Sequence, residues 1–233
     1  MRRNRRGFGI VAAAVLWQGW GQQLAIGQLH APNAELARPA DLAMGKFLVA
    51  RRGLSDPNFS ATVVLLVQYD EPAVVGLIIN RRTKVLLSEA FPKLKGTNGR
   101  SDAVYLGGPV EATGALALIR SSTKPANSKH VMADVYLTAS QAKLEEALAA
   151  ASASARLRVY VGYAGWTTEQ LRREVELGGW YIFPGDAGAV FDAHPESVWS
   201  RWIFKTEGQI ARAPRAYLPG SLLFPAAGHR QGQ

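Results

Sequence analysis

The sequence predicts an α+β domain, and three observations carry that prediction. Residues 62–69 (TVVLLVQY) and 73–80 (AVVGLIIN) are almost continuously apolar and β-branched, which reads as two fully buried strands. Only three residues separate them, so they pair as an antiparallel hairpin. Helix signals are interspersed among further strands without a regular βαβ alternation, which favours α+β over a doubly wound sheet. At 233 residues, with 48% hydrophobic and 19% charged side chains, the chain has the apolar surface for one sizeable core.

The first 27 residues differ in kind from the rest. Arg2, Arg3, Arg5 and Arg6 form a basic head, residues 8–17 (FGIVAAAVLW) an uncharged apolar run, and Ala25-Ile26-Gly27 a small-x-small site. This is the three-part layout of a secretory signal peptide, and it predicts a periplasmic or otherwise exported protein once cleaved. The apolar run is too short to span a bilayer comfortably, and the body of the chain has no apolar stretch of about 20 residues, so no transmembrane segment is expected after signal removal. Removing residues 1–27 takes four arginines and no acid from the chain, so a formal net charge of +9 becomes +5. That mild balance needs no nucleic-acid partner to explain it. The absence of cysteine excludes disulfides, thiol catalysis and thiolate metal sites.

Residues 28–44 carry two prolines and no periodicity, and read as a linker. The domain is expected over residues 45–204. It opens with a short strand at 46–50 and a turn-rich loop at 51–60, and then enters the hairpin. A short helix is expected at 86–91 and a loop at 93–102. Strands follow at 104–106, 115–119, 134–137, 157–163, 180–183 and 189–191, with a polar connection at 121–130. Thr138 and Gln141 have the spacing of a capping box for a helix over 139–151, and Thr167 and Gln170 that of one for a helix over 168–177 ended by Gly178. Pro195 suits the first position of a helix to about Phe204, with Val198, Trp199, Trp202 and Ile203 facing the core. Residues 205–233 are a Pro-, Gly- and Ala-rich tail.

Five blocks occur in order: GKFLVARRGLSDPNFSATVVLLVQY from Gly45, GLIINR from Gly76, YLGGPV from Tyr105, GYAGWTTEQLRREVELGGW from Gly162 and FDAHPESVW from Phe191. Together they resemble the bacterial YqgE/AlgH family over nearly all of the expected domain. The resemblance implies a mixed, bifurcated sheet curling into a pseudo-barrel with about four helices packed outside. It also implies a small protein that is usually cytoplasmic, of a family once labelled as transcriptional regulators, with no catalytic residues to carry over. Family members usually begin just before the GKFLVA-type strand, so the signal-like segment is a departure that sets export against the family's usual compartment. An exported protein cannot meet the chromosome, which weakens the transcriptional label.

Motifs with chemical potential are few. The GxGxxA pattern at residues 7–12 lies inside the signal-like segment with no strand before it, and fails as a dinucleotide site. Gly107-Gly108-Pro109 follows a strand: the paired glycines either let backbone N–H groups approach an anion or simply make a tight turn. Asn80 and Arg81 end a strand of the hairpin, where guanidinium forks can bind a carboxylate or phosphate, or where Asn80 caps the turn and the arginines are solvated. The turn Tyr163-Ala164-Gly165-Trp166 either faces a pocket or closes the core. Asn80, Arg81, Gly107, Gly108, Gly165 and Trp166 are therefore the ligand-binding candidates. Neither His130 nor His194 has metal-ligand spacing, so no metal and no cofactor is expected. Glu169, Glu174 and Glu176 share a helix with Arg172 and Arg173 and read as a solvated charged face. No nucleophile elbow or base partner for Ser55, Ser60 or Ser88 is evident.

The functional expectation is a non-enzymatic binding or regulatory protein acting through a protein or small-ligand partner. The alternatives are a hydrolase or transferase with an atypical site at the candidate residues, and a transcriptional regulator.

Overall fold

The computed structural model describes residues 37–111, 114–149 and 156–212. The signal-like segment 1–27, most of the expected linker and the tail beyond Arg212 lie outside the described residues. Among the described residues eleven strands form two sheets. The first has the order β10-β3-β2-β1-β11, from β1 (Lys46–Ala50), β2 (Val63–Asp70), β3 (Ala73–Ile78), β10 (Ala164–Thr167) and β11 (Trp180–Pro184). All its pairings are antiparallel. The second has the order β4-β5-β9-β6-β8-β7, from β4 (Arg82–Leu86), β5 (Ala103–Leu106), β6 (Leu116–Arg120), β7 (Lys129–Met132), β8 (Val135–Thr138) and β9 (Leu157–Val161). Its β5–β9 pair is parallel, so the sheet is mixed.

The hairpin forms as its sequence spacing predicts, with Asp70 opposite Ala73 and a bulge between Leu66 and Gln68. Its strands read as unbroken apolar runs because the first sheet is covered on both faces. Phe47, Val49, Val63, Leu65 and Leu77 point to a central core shared with Tyr105, Leu118, Val135 and Tyr160 of the second sheet. Leu48, Val64, Leu66 and Ile78 point the other way, against Leu171 and Val175 of α3 (Thr168–Glu176). The outer face of the second sheet, through Ala117, Ile119, Leu157 and Val159, packs on Leu87 of α1 (Leu87–Ala90) and on Leu144 and Leu148 of α2 (Gln141–Ala149). The layers therefore run α3, first sheet, second sheet, α1 with α2.

The two sheets are limbs of one bifurcated structure. The chain passes between them twice, from β3 to β4 through residues 79–81 and from β9 to β10 through Gly162–Tyr163. At that corner the Ile78 amide donates to Gly107 O at 2.8 Å and the Gly107 amide to Val161 O at 2.9 Å. Val110 and Tyr163 exchange a further pair of backbone bonds, each 2.9 Å. The limbs face each other across the central core, and neither closes on itself among the described residues.

Helix α3 is capped as its sequence predicts. The Gln170 amide donates to Thr167 Oγ1, and the Thr167 amide to Gln170 Oε1, both at 3.1 Å, an arrangement worth about 1 kcal/mol. Gly178, at φ +77°, turns the chain out of the helix.

Elsewhere the elements differ from expectation. Thr138 does not cap α2: it ends β8 opposite Ala117, and its hydroxyl donates across the connection to Asn127 O at 3.0 Å. Ser140 takes the capping place instead, its carbonyl accepting from the Lys143 and Leu144 amides. Residues 189–191 are not a strand. Ala189 and Val190 end the one-turn helix α4 (Ala187–Val190) and Phe191 is its C-cap, because Asp186 accepts from the Gly188 amide at 2.9 Å and starts a helical turn. Strand β4 falls between the expected hairpin and the helix expected at 86–91, where no element was assigned, and β7 overlaps the end of the polar connection expected at 121–130. Both are edge strands with mostly exposed polar side chains, which leaves no apolar run to read. The expected strand 157–163 is divided at Gly162, whose φ of +70° sends β10 into the other sheet. A 3-10 turn at Pro195–Ser197 leads into α5 (Val198–Arg212), in which Val198 and Ile203 are fully buried. The half-buried Trp199 and Trp202 pack against the same core, and the Trp199 indole donates to Ala50 O at 2.7 Å.

Candidate functional site

The six residues singled out from the sequence come from the two segments that pass between the limbs and from the loop after β5. Asn80 is buried, its Oδ1 accepting from the Val63 amide at 2.8 Å and its Nδ2 donating to Ala61 O at 2.9 Å. The side chain thereby ties the end of the hairpin to a residue at φ +54°. Arg81 is half-buried and lies 3.4 Å from Ser60 O and 3.5 Å from Pro57 O. Burial pulls its pKa down while nearby Asp56 acts the other way. Gly107 and Gly108 are buried where residues 107–110 cross residues 162–164, with the Gly107 amide and carbonyl both used in the seam. Gly165 is exposed on β10 opposite Val75. Trp166 is buried, stacked on Phe59 at 5.2 Å and edge-on to Trp180 at 6.2 Å. The polar groups of these residues are largely engaged in holding the fold.

One acid on α3 departs from the expected solvated face. Glu169 and Glu176 are exposed, but Glu174 is half-buried. Its Oε2 accepts from Trp180 Nε1 at 2.9 Å and Trp166 Nε1 at 3.2 Å. Burial raises its pKa, the two indole bonds act in the lowering direction, and Asp56 adds to the rise. The sequence did hold a signal: residues 171, 174, 175 and 178 follow the i, i+3, i+4, i+7 spacing of one helix face.

One cleft is lined by none of the six candidates. Parallel strands β5 and β9 are in register for only two pairs, Tyr105 with Tyr160 and Leu106 with Val161. Below them the strands splay, and a recess of about 360 Å³ opens in the fork, lined among others by Arg82, Ser101, Asp102, Tyr105, Arg158 and Phe191. Arg158, only 9% exposed, stands in it. Its guanidinium donates to Leu157 O, Phe191 O and Asp192 O, each at 3.0 Å. It also lies 5.5 Å from the Tyr105 ring centroid and 5.7 Å from that of Phe191. Arg82, exposed on β4, sits opposite Tyr105 in register. Asp102, the acid of the lining, is bound by Arg100 at 2.6 Å. Burial raises the Tyr105 pKa against the pull of Arg158 and Arg82, so the ring stays a neutral phenol at neutral pH. The Tyr160 hydroxyl beside it is fully buried, makes no hydrogen bond among the described residues, and has its pKa raised far by that burial.

A second cleft of about 250 Å³ is lined by Arg120, Thr123, Lys143, Glu146 and Arg156 among others. Two of its cations have acids at hand: Asp134 lies 2.7 Å from Arg120, and Glu146 pairs with Lys143. Among the described residues no group of three or more His, Asp or Glu side chains is placed to hold a metal ion. His130 hydrogen-bonds Ala133 O at 2.8 Å, and His194 is exposed 3.7 Å from Glu196.

The AlgH-like family model (DUF179) matches residues 47–211, from the first strand through nearly all of α5. The chain belongs to the AlgH-like family. Its curated relatives include a UPF0301 protein of Streptomyces coelicolor, 32% identical over 173 residues, covering 72% of this chain and 88% of the relative. A UPF0301 protein of Caulobacter vibrioides is 33% identical over 170 residues, covering 71% and 87%. The solution structure of the AlgH protein from Pseudomonas aeruginosa is similar with a TM-score of 0.53 and 28% identity, over 80% of this chain and 95% of that one. The crystal structure of protein DIP2367 from Corynebacterium diphtheriae shares the fold, with a TM-score of 0.61 at 22% identity, over 70% and 87%. None of these names states a reaction.

For this AlgH-like domain, the residues missed from sequence are those of the fork, above all Arg158. It sits mid-strand in the run Leu157-Arg158-Val159-Tyr160-Val161, and an arginine inside such a run is the kind of buried charge that marks a site.

Proposed function

We propose that this AlgH-like protein is a non-enzymatic binding protein, with regulatory output, that takes a small ligand in the fork between β5 and β9. The observation that carries this reading is the recess itself: a concave space with apolar walls and two guanidinium groups, of the size that small-ligand sites have. The seam residues favour binding over catalysis, because their polar atoms serve the backbone rather than one another. Ala193, exposed at the edge of the cleft, allows a direct test. A metabolite fraction of bacterial periplasm should raise the Tm of the wild-type protein by about 5 to 10 °C at saturation. Ala193→Trp, which fills the recess from its edge, should keep the unliganded Tm and lose the rise. An equal rise in both proteins would place binding elsewhere.

We further propose that residues 1–27 direct export, on the strength of their basic head, apolar run and small-x-small site. Fractionated cells should yield a periplasmic protein whose N-terminus is at or near Gln28. Recovery of intact protein from the cytoplasm would overturn export and return a transcriptional role to contention. No helix among the described residues is long and apolar enough to cross a membrane.

A further inference from the structure

We propose that Met132 is an oxidation site: a peroxide converts its thioether to the sulfoxide, and the change loosens the seam between β7 and the first sheet. Sulfur is scarce in this chain. There is no cysteine, and apart from Met1 the methionines are Met44 and Met132. Met44 precedes Gly45 at the entry to β1, and Met132 is the last residue of β7.

At this seam the two limbs meet a second time. Strand β7 ends the second sheet, and its last residues sit on a notch formed by Gly45 and Gly185. The Gly185 amide donates to Gly45 O at 2.9 Å, which holds the two glycines side by side. A Cβ built on Gly185 would lie 2.1 Å from Met132 Sδ, and one on Gly45 would lie 2.8 Å from Val131 O and 3.1 Å from Met132 Cβ. The sulfur therefore rests against the bare Cα of Gly185, in space that a side chain there would fill. An unbranched thioether suits such a notch. Lys129 and Asp70 approach to 3.9 Å at the other end of β7, but both are exposed, and such a pair contributes little.

The chemistry needs a peroxide and nothing else. A sulfur lone pair attacks one peroxide oxygen, the O–O bond breaks, and the displaced hydroxide takes a proton to leave as water. The sulfur gives up two electrons, the peroxide accepts them, and the side chain keeps one oxygen. The product is polar where the thioether was apolar. Its oxygen accepts hydrogen bonds, but the amides of the notch are committed, Gly45 to Leu66 O at 2.8 Å and Gly185 to Gly45 O. Water is the better partner, so the sulfoxide is drawn out of the notch and β7 loses its apolar contact. Met132 is half-buried, while Met44, at 37% exposure, is the more open of the two and serves as an internal reference.

Hydrogen peroxide treatment of the full chain, followed by peptide mass spectrometry and urea unfolding, tests the proposal. Both methionines should gain one oxygen, Met44 first. The urea midpoint should hold while only Met44 is oxidised, and fall by about 0.5 M or more as Met132 follows. Met132→Leu should lose this response and Met44→Leu should keep it. If Met132→Leu does not fold, the Met44→Leu protein decides alone, since its midpoint must track the sulfoxide fraction at residue 132. Three results overturn the proposal: Met132 unoxidised after Met44 has reacted, Met132 oxidised with an unchanged midpoint, or an equal fall in Met132→Leu.

Discussion

Gly108→Ala is expected to abolish the cooperative native state, although the substitution adds a single methyl group. A Cβ at this position would lie 2.2 Å from the carbonyl carbon of Tyr163, 2.3 Å from the Ala164 amide nitrogen and 2.4 Å from Tyr163 O. All three are backbone atoms, so no rotamer change relieves the contact. Nor can the facing strand retreat cheaply. Val110 and Tyr163 hold it by two bonds of 2.9 Å, and Ala164 is the first residue of the β10–β3 ladder. The neighbouring Gly107 is closed in the same way, its added Cβ falling 2.4 Å from Gly162 O. Relief therefore requires opening the corner where the two sheets join. The cost exceeds about 4 kcal/mol, set against a total stability of about 5 to 15 kcal/mol for a domain of this kind. Gly114→Ala is the matched control, since nothing lies within 4 Å of its added Cβ, and its effect should stay within about 0.5 kcal/mol. Urea unfolding followed by tryptophan fluorescence distinguishes the two. A Gly108→Ala midpoint equal to wild type would show that the corner is not a rigid joint.

That corner also marks how far the sequence could be read. The strands of the first sheet were legible because both of their faces are buried, so Thr62 to Tyr69 announces itself without knowledge of any partner. The paired glycines were legible only as an alternative between a turn and an anion nest. Their actual constraint is a second chain segment more than fifty residues away, and no local pattern encodes that approach. Asn80 stood out for being polar at a strand end, and its true partners, Val63 and Ala61, follow only from the hairpin register. Edge strands β4 and β7 escaped because edges need neither apolar runs nor alternation. Thr138 has the spacing of a helix cap but is drawn inward as the last residue of β8, so tertiary pairing overrode a local signal. Arg158, an anomaly in an apolar strand, was passed over, and the fork around it depends on a β5–β9 ladder of only two paired residues. Local chemistry was thus readable where one segment decides it, and unreadable where two distant segments meet.

Glu174 provides the second large effect, with a sign that separates charge from hydrogen bonding. Glu174→Ala removes the acceptor of two buried indole N–H groups, those of Trp166 and Trp180. An unmet buried donor costs about 1 to 3 kcal/mol, so the alanine variant should lose about 2 to 5 kcal/mol. Glu174→Gln keeps an acceptor oxygen and removes the charge. Burial holds the Glu174 pKa above its ordinary value of 4.5, so the folded chain binds this proton more readily than the unfolded chain does. The resulting stabilisation is fully present below pH 4.5 and is lost as pH rises through the raised folded value. The stability difference, wild type minus Glu174→Gln, should therefore fall over that window and then stay level towards neutral pH. Acids that do not interact with Glu174 cancel from the difference. Urea midpoints measured from about pH 4 to pH 8 give the curve, and the indole N–H resonances of Trp166 and Trp180 report whether glutamine still accepts. A flat difference would mean that burial imposes no net penalty on the carboxylate. Equal stability of the alanine and glutamine variants at pH 7 would mean that the indole bonds carry no weight. With both effects present, the acid that the helix pattern would assign to solvent is instead the polar joint between α3 and the aromatic cluster beneath it.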